Sequence, residues 1–224
     1  MKIGIVTAIE RELQIFLDAV SNITEEYIND SVIYHAELHN HGVFVIQSGC
    51  GEIDAAAATQ LLITHTGCSI VINFGVAGAI VPGLNVNDLF LADKVCHYGF
   101  DISPIDPVKK HQYPEYADEF IPLDMELQYH VKTSYPDIQT VSVASGDRFI
   151  DKLEDKQELA SLGCQICDME LAAIARICLK NRVKCMSIKC ISDTLEGSGV
   201  DFNTNVSNSA KKAYELLDLI INLL

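Results

Sequence analysis

Short continuous apolar runs alternate along most of this chain with longer stretches whose apolar positions recur at helical spacing. Residues 2–7 read as a buried strand, and from Ile9 the period changes: Ile9, Leu13, Phe16, Leu17 and Val20 fall on one helical face. Val32–Leu38 and Val43–Ser48 are rich in β-branched and aromatic residues, with Asn40 and Gly42 between them, and predict a hairpin. A helix is expected over Glu52–Thr66, stopped by Gly67, followed by a strand over Ser69–Phe74 that ends in a glycine loop, Gly75-Val76-Ala77-Gly78. Further strands are expected at Leu89–Ala92, at Gln139–Ser145, around Ile166 and at Val183–Ile191. Further helices are expected at Leu123–Ser134, at Lys152–Leu162, from Glu170 onward and at Ser207–Leu223. The segment 97–123 carries Pro104, Pro107, Pro114 and Pro122 and predicts a long excursion with little regular structure, a lid or a subunit contact. The alternation of strand and helix implies one α/β domain over 1–224, with a largely parallel central sheet, hairpin strands near its start and helices around it.

A chain of 224 residues that is 49% hydrophobic can bury a sizeable core. The formal net charge of -15 leaves no stripe of lysine and arginine for a nucleic-acid backbone or an anionic membrane surface. No run is long and apolar enough for a transmembrane helix, and residues 1–6 look like a strand, not a signal core. Most of the eight cysteines lie in apolar runs, as reduced core thiols do in a cytoplasmic protein. Cys164 and Cys167 form a C-x-x-C, but no second pair or nearby histidine completes a zinc set, and no metal is expected.

Candidate chemistry lies at the strand ends. Asp168 and Glu170 flank Met169 at a strand-to-helix corner inside an apolar frame, which is costly unless they bind something or cap the helix. Glu12 starts a helix directly from the end of the first strand, the place where open α/β sheets bind ligands. Asp193, after Ser192, closes the last strand. Three carboxylates brought together raise the pKa of at least one. Such a set supplies a base, an acid and a holder for sugar hydroxyls, as cleavage of a glycosidic bond requires. The plain alternatives are a first-turn acid at Glu12, a helix cap at Glu170 and a core aromatic at Phe149. Lys189, inside a buried strand, needs an acidic partner or must reach out of the core.

Six segments carry a resemblance over nearly the whole length: residues 1–12, Ser48-Gly49-Cys50-Gly51, Gly75–Gly78, Ala144–Phe149, Asp168-Met169-Glu170 and Ile191-Ser192-Asp193. In this order they resemble the methylthioadenosine/S-adenosylhomocysteine nucleosidases of the nucleoside phosphorylase superfamily. The resemblance implies a mixed twisted sheet flanked by helices, a nucleoside and water as substrates, and no cofactor. It implies that Glu12 activates water, that Glu170 with Met169 holds the ribose, and that Asp193, aided by Ser192, protonates N7 of adenine. It further implies that Phe149 stacks on the purine, that the backbone of Ile150 reads its edge, and that Ile9, Cys50 and Phe202 surround the 5′-thio group. The Gly75–Gly78 stretch, read from its glycines alone, permits a ligand to come near backbone N–H groups, with Val76 and Gly78 as the candidates. The family forms homodimers, with residues near 98–108 completing the partner's pocket.

The chain departs from the family's pattern at Lys189, where arginine is usual, at Asp168, where glutamate is commoner, and in a 194–200 loop about one residue shorter. Lys189 is expected to orient water and the catalytic glutamate. Three other readings stand beside the leading one: a phosphorylase on the same fold, a futalosine-type nucleoside hydrolase, and a nucleoside-binding protein without turnover. Phosphorolysis would need a cationic cradle where this chain places Glu12, although Arg11 is adjacent.

Overall fold

Ten strands pair into one mixed sheet, and six helices cover its two faces. The computed structural model describes all 224 residues. In chain order it runs β1 (Lys2–Thr7), α1 (Glu10–Ala19), β2 (Thr24–Ile28), β3 (Ser31–Leu38), β4 (His41–Gln47), α2 (Glu52–Thr66), β5 (Ile70–Ala79), β6 (Leu89–His97), β7 (Ile121–Pro122), α3 (Met125–Ser134), β8 (Gln139–Ser145), α4 (Leu153–Ser161), β9 (Ile166–Asp168), α5 (Leu171–Asn181), β10 (Lys184–Asp193) and α6 (Gly199–Leu223).

β5 is the strand the sheet is built on. Its side chains alternate between faces as strand geometry requires. Val71, Ala77 and Ala79 join the core under α2 and α5, while Ile70, Ile72 and Phe74 join the core under α1, α3 and α6. β1 lies parallel beside it at Ile3–Val6, and the hairpin strands β4, β3 and β2 extend that edge. On the other side β5 runs parallel to β10, then the path continues through β6, β8 and β9. β9 returns antiparallel to the end of β5, at Gly78 and Ala79, so five strands close on themselves. This closure turns the ends of β5, β8, β9 and β10 toward one another.

Several expectations are corrected. The glycines after Phe74 do not form a loop: β5 continues to Ala79, held by β10 through Asp193 opposite Gly78. The last helix starts at Gly199, eight residues before the expected Ser207. Ser198 caps it, accepting from the Val200 N–H at 3.3 Å, while Asp201 accepts from the Ser198 N–H at 2.8 Å. The strand expected to end at Ala92 continues through an irregularity to His97. The exposed edge strand β2 was not expected, because its Thr-Glu-Glu-Tyr-Ile carries too little apolar alternation. The 97–123 segment does hold only the short β7, but it is anchored: Tyr113 stacks on Phe100 at 3.8 Å between ring centroids, and the Arg176 guanidinium lies 3.6 Å over Tyr113.

Candidate active site

The closed part of the sheet frames a cavity of about 550 Å³. Each wall comes from a chain segment that the topology brings to the same end of the molecule. The β1–α1 corner supplies Ile9 and Glu12, and Cys50 stands just before α2. The end of β5 supplies Val76 and Gly78, and the turn after β8 supplies Phe149 and Ile150. The β9–α5 corner supplies Met169 and Glu170, the end of β10 supplies Ser192 and Asp193, and the first turn of α6 supplies Phe202. Lys189 is the one expected site residue that does not line the cavity. It lies beneath the wall, 2% exposed, with its ammonium 2.6 Å from Asp168 Oδ2. β10 alternates, so a residue four positions before Asp193 and paired opposite Gly75 is set back from the strand's end.

Glu12 is buried and held by three backbone donors. Its Oε2 accepts from the N–H groups of Ala8 (2.9 Å) and Ile9 (3.2 Å), and its Oε1 from Val76 (3.0 Å). The glycine at position 75 makes room for it, because a Cβ there would collide with Glu12 Oε1. Burial raises the Glu12 pKa against the opposing pull of the Lys189 charge and the three N–H groups. Glu170 accepts from the Gly51 N–H at 3.0 Å, and burial with the nearby Asp168 charge pushes it up to about 7. Gly51 has φ of 104°, a conformation that favours glycine and turns its N–H inward. Asp193 accepts from Ser192 Oγ at 2.8 Å, and burial raises its pKa as well. The Lys189 pKa is also raised: burial disfavours its charge, but Asp168, Glu170 and Glu12 more than offset this.

Phe149 is 44% exposed and meets Phe202 edge-on, at 5.6 Å between centroids and 77° between planes, forming an apolar slot beside Asp193. Buried carboxyls and an open aromatic face therefore share one cavity. Such a site can take a flat heterocycle joined to a polar ring, donate a proton to the heterocycle and draw one from a nucleophile.

Several residues here were not among the expected site residues. Cys167, Arg148 and Asn203 also line the cavity. Glu52, at the start of α2, is buried behind Glu170. It accepts from Ser145 Oγ and the Ala173 N–H, each at 2.6 Å, and burial pushes it up to about 8. Lys156 of α4 is fully buried beside Asp193. Glu52 reads as an ordinary first-turn acid of an alanine-rich helix, and Lys156 sits among polar residues, where only the helix period that aligns it with Leu159 hints at burial.

The sequence model of the phosphorylase superfamily matches residues 2–222. A 5′-methylthioadenosine/S-adenosylhomocysteine nucleosidase from Haemophilus ducreyi is 29% identical over 228 residues, covering 99% of this chain and 98% of that protein. The crystal structure of the Helicobacter pylori 5′-methylthioadenosine/S-adenosylhomocysteine nucleosidase superposes with a TM-score of 0.93 at 28% identity, covering 100% of this chain and 99% of the other. The native futalosine hydrolase of Helicobacter pylori gives a TM-score of 0.92 at 27% identity, covering 100% and 98%. With a match from the first residue of β1 nearly to the end of α6, the chain belongs to the phosphorylase superfamily.

Proposed function

We propose that this protein is a nucleosidase that hydrolyses the N-glycosidic bond of 5′-methylthioadenosine and S-adenosylhomocysteine, releasing adenine and the 5-thioribose product. The observation that carries the reading is the pairing, in one cavity, of Glu12 on three backbone donors with the Ser192–Asp193 pair. The similar proteins named above share the fold and the nucleoside chemistry.

In this reading the purine lies against Phe149, with the Ile150 backbone at its edge. Asp193 gives its proton to N7 while the C–N bond breaks, so adenine leaves neutral. Glu12 draws a proton from water, whose oxygen bonds to the anomeric carbon. Burial raises the pKa of both carboxyls, which makes Glu12 a stronger base and Asp193 a tighter holder of a proton than their exposed counterparts. Glu170, with Met169, receives the ribose hydroxyls, and the buried acids favour the positive charge that develops on the sugar. Lys189, behind Asp168, steadies Glu12 and Glu170 by its charge. Ile9, Cys50 and Phe202 surround the 5′-thio group. Phosphate is disfavoured as nucleophile because the Glu12 carboxylate stands where its charge would go.

The protein would act as one catalytic domain in the cytoplasm, in methionine salvage, and as a homodimer. No helix is long and apolar enough to cross a membrane. Ile105, 88% exposed on the 97–123 excursion, is the kind of side chain that a partner subunit's pocket would cover.

The test is adenine release from methylthioadenosine with and without phosphate. The native chain is expected to release adenine in both buffers, and Glu12→Gln to lose on the order of 10²–10⁴ in rate. Release only with phosphate would make the protein a phosphorylase.

A further inference from the structure

Lys156 is a charged side chain with no exposure on a helix that is otherwise largely polar and solvent-facing. Burying a lysine costs desolvation and rotamer freedom, and a residue on such a helix could have pointed to water instead. An ammonium has three N–H donors. Two are given to the carbonyls of Thr194 (2.8 Å) and Gly197 (2.9 Å), the ends of the turn that follows Asp193. Carbonyl dipoles do not neutralise a full charge, and Asp193 Oδ2 stands 3.8 Å away, outside hydrogen-bonding distance but well within electrostatic reach. The turn lies close against the acid, with no room for a side chain at Gly197: a Cβ there would sit 2.8 Å from the Thr194 nitrogen and 3.3 Å from the Asp193 Cβ.

We propose that Lys156 is a positioning residue for the glycosidic cleavage: it clamps the 194–197 turn so that Asp193 faces the base, and its charge stabilises the carboxylate that Asp193 becomes on giving up its proton. This rests on Asp193 being the proton donor. Proton and electron pair balance: as the glycosidic bond breaks, its electrons pass to the base and the Asp193 proton moves to N7. The anion left behind is buried and needs a counter-charge that is already in place. The other groups facing Asp193 do not supply it. Ser192 on β10 is neutral, Cys167 on β9 is a thiol whose ionisation is pushed up to about 12, and Asp151 and Asp201 carry negative charge. Lys156 is therefore the one positive group acting on Asp193 among those that shift it.

The test follows the Asp193 carboxyl by ¹³C NMR against pH in the native chain, in Lys156→Gln and Lys156→Met, and in Lys156→Arg. Alongside, the basic limb of kcat/KM for adenine release is measured in each. Gln still offers donors to the turn but no charge, and Met offers neither. Both neutral variants should raise the Asp193 midpoint by about one pH unit or more, the size expected when an opposite charge is removed at this range. The kinetic limb should move by the same amount, and arginine should restore both. A midpoint unchanged in folded Lys156→Gln would leave Lys156 a purely structural brace and overturn the proposal. A midpoint that moves while the kinetic limb stays would show that Asp193 is not the donor, and the proposal would fall with that reading. Absence of adenine release by the native chain would refute the proposed function separately, while the NMR titration still decides whether the two charges are coupled. Should neither neutral variant fold, the native chain decides: the ¹⁵N resonance of the Lys156 ammonium should move as Asp193 ionises, and a resonance unmoved across the Asp193 midpoint would overturn the coupling.

Discussion

At the scale of residues, charge in the site is distributed in pairs that stand one layer apart. Lys189 meets Asp168 at 2.6 Å beneath the cavity floor, and the two are nearly inaccessible to water. Removing one member of such a pair leaves the other ionised in a poor solvent, which costs about 3–5 kcal/mol. Lys189→Met is therefore expected to lower the melting temperature by about 10 °C, at roughly 2–4 °C per kcal/mol for a chain of this length. Lys189→Arg, which keeps the charge, should lose much less. Thermal unfolding of the two variants at neutral pH checks this, and equal melting temperatures would mean that packing, not charge, holds that corner. The need of Lys189 for an acid was legible in the sequence, because a lysine in a run such as Met186–Ile191 has few alternatives. Its place behind the wall was not, because burial within a strand does not say how far the residue lies from the strand's end.

At the scale of elements, two glycines show what local chemistry reveals and what it hides. Gly67 ends α2 in the left-handed conformation, φ 65°, with nothing within 4 Å of where a Cβ would be. Gly75 lies within β5, with the Glu12 carboxylate against it. Gly67→Ala should cost about 1 kcal/mol in thermal unfolding with kcat unchanged, since only backbone strain is added. Gly75→Ala should instead cut kcat sharply, because the methyl displaces the proposed base. Melting curves and adenine release on the two variants would show this separation, and loss of kcat in Gly67→Ala alone would contradict it. A helix stop has a local signal, and Gly67 was read correctly. A glycine that clears space for a residue 63 positions earlier in the chain has none, and this is why Gly75–Gly78 read as a loop. The same limit hid the closure of β5 through β10, β6, β8 and β9. Each strand was legible by its own apolar run, but their pairing depends on partners distant in sequence. The start of α6 was hidden differently: its first turns hold Gly199, Asn203 and Asn205, poor helix formers that a Ser198–Asp201 cap and Phe202 packing make tolerable.

At the scale of the whole molecule, four buried acids, Glu12, Glu52, Glu170 and Asp193, bind protons more tightly in the folded chain than their ordinary carboxyl values. A folded state that holds more protons than the unfolded one loses stability as pH rises. The contributions of Glu170 and Glu52 are full below 4.5 and are lost as pH climbs through about 7 and about 8. With a net charge of -15 adding self-repulsion, the melting temperature should fall steadily from mildly acid to mildly alkaline pH. Glu52→Gln should flatten the upper part of that fall, and a slope unaltered by the substitution would rule Glu52 out as its source. One further consequence comes from α6, which spans 25 residues, about 37 Å at ordinary helical rise. Its first turns carry Phe202 at the cavity and fasten to β10 by the Asn205 side chain on the Ser192 carbonyl (3.1 Å) and Ser209 on the Ile191 carbonyl (2.8 Å). Its far end places Leu217, Ile220 and Ile221 in the core. Amide hydrogens along this one helix should therefore exchange with solvent deuterium at two rates, slow at the core end and fast near Phe202. An adenine-like ligand should slow only the fast set, so that filling the cavity is recorded as a boundary moving along the helix toward its N-terminus.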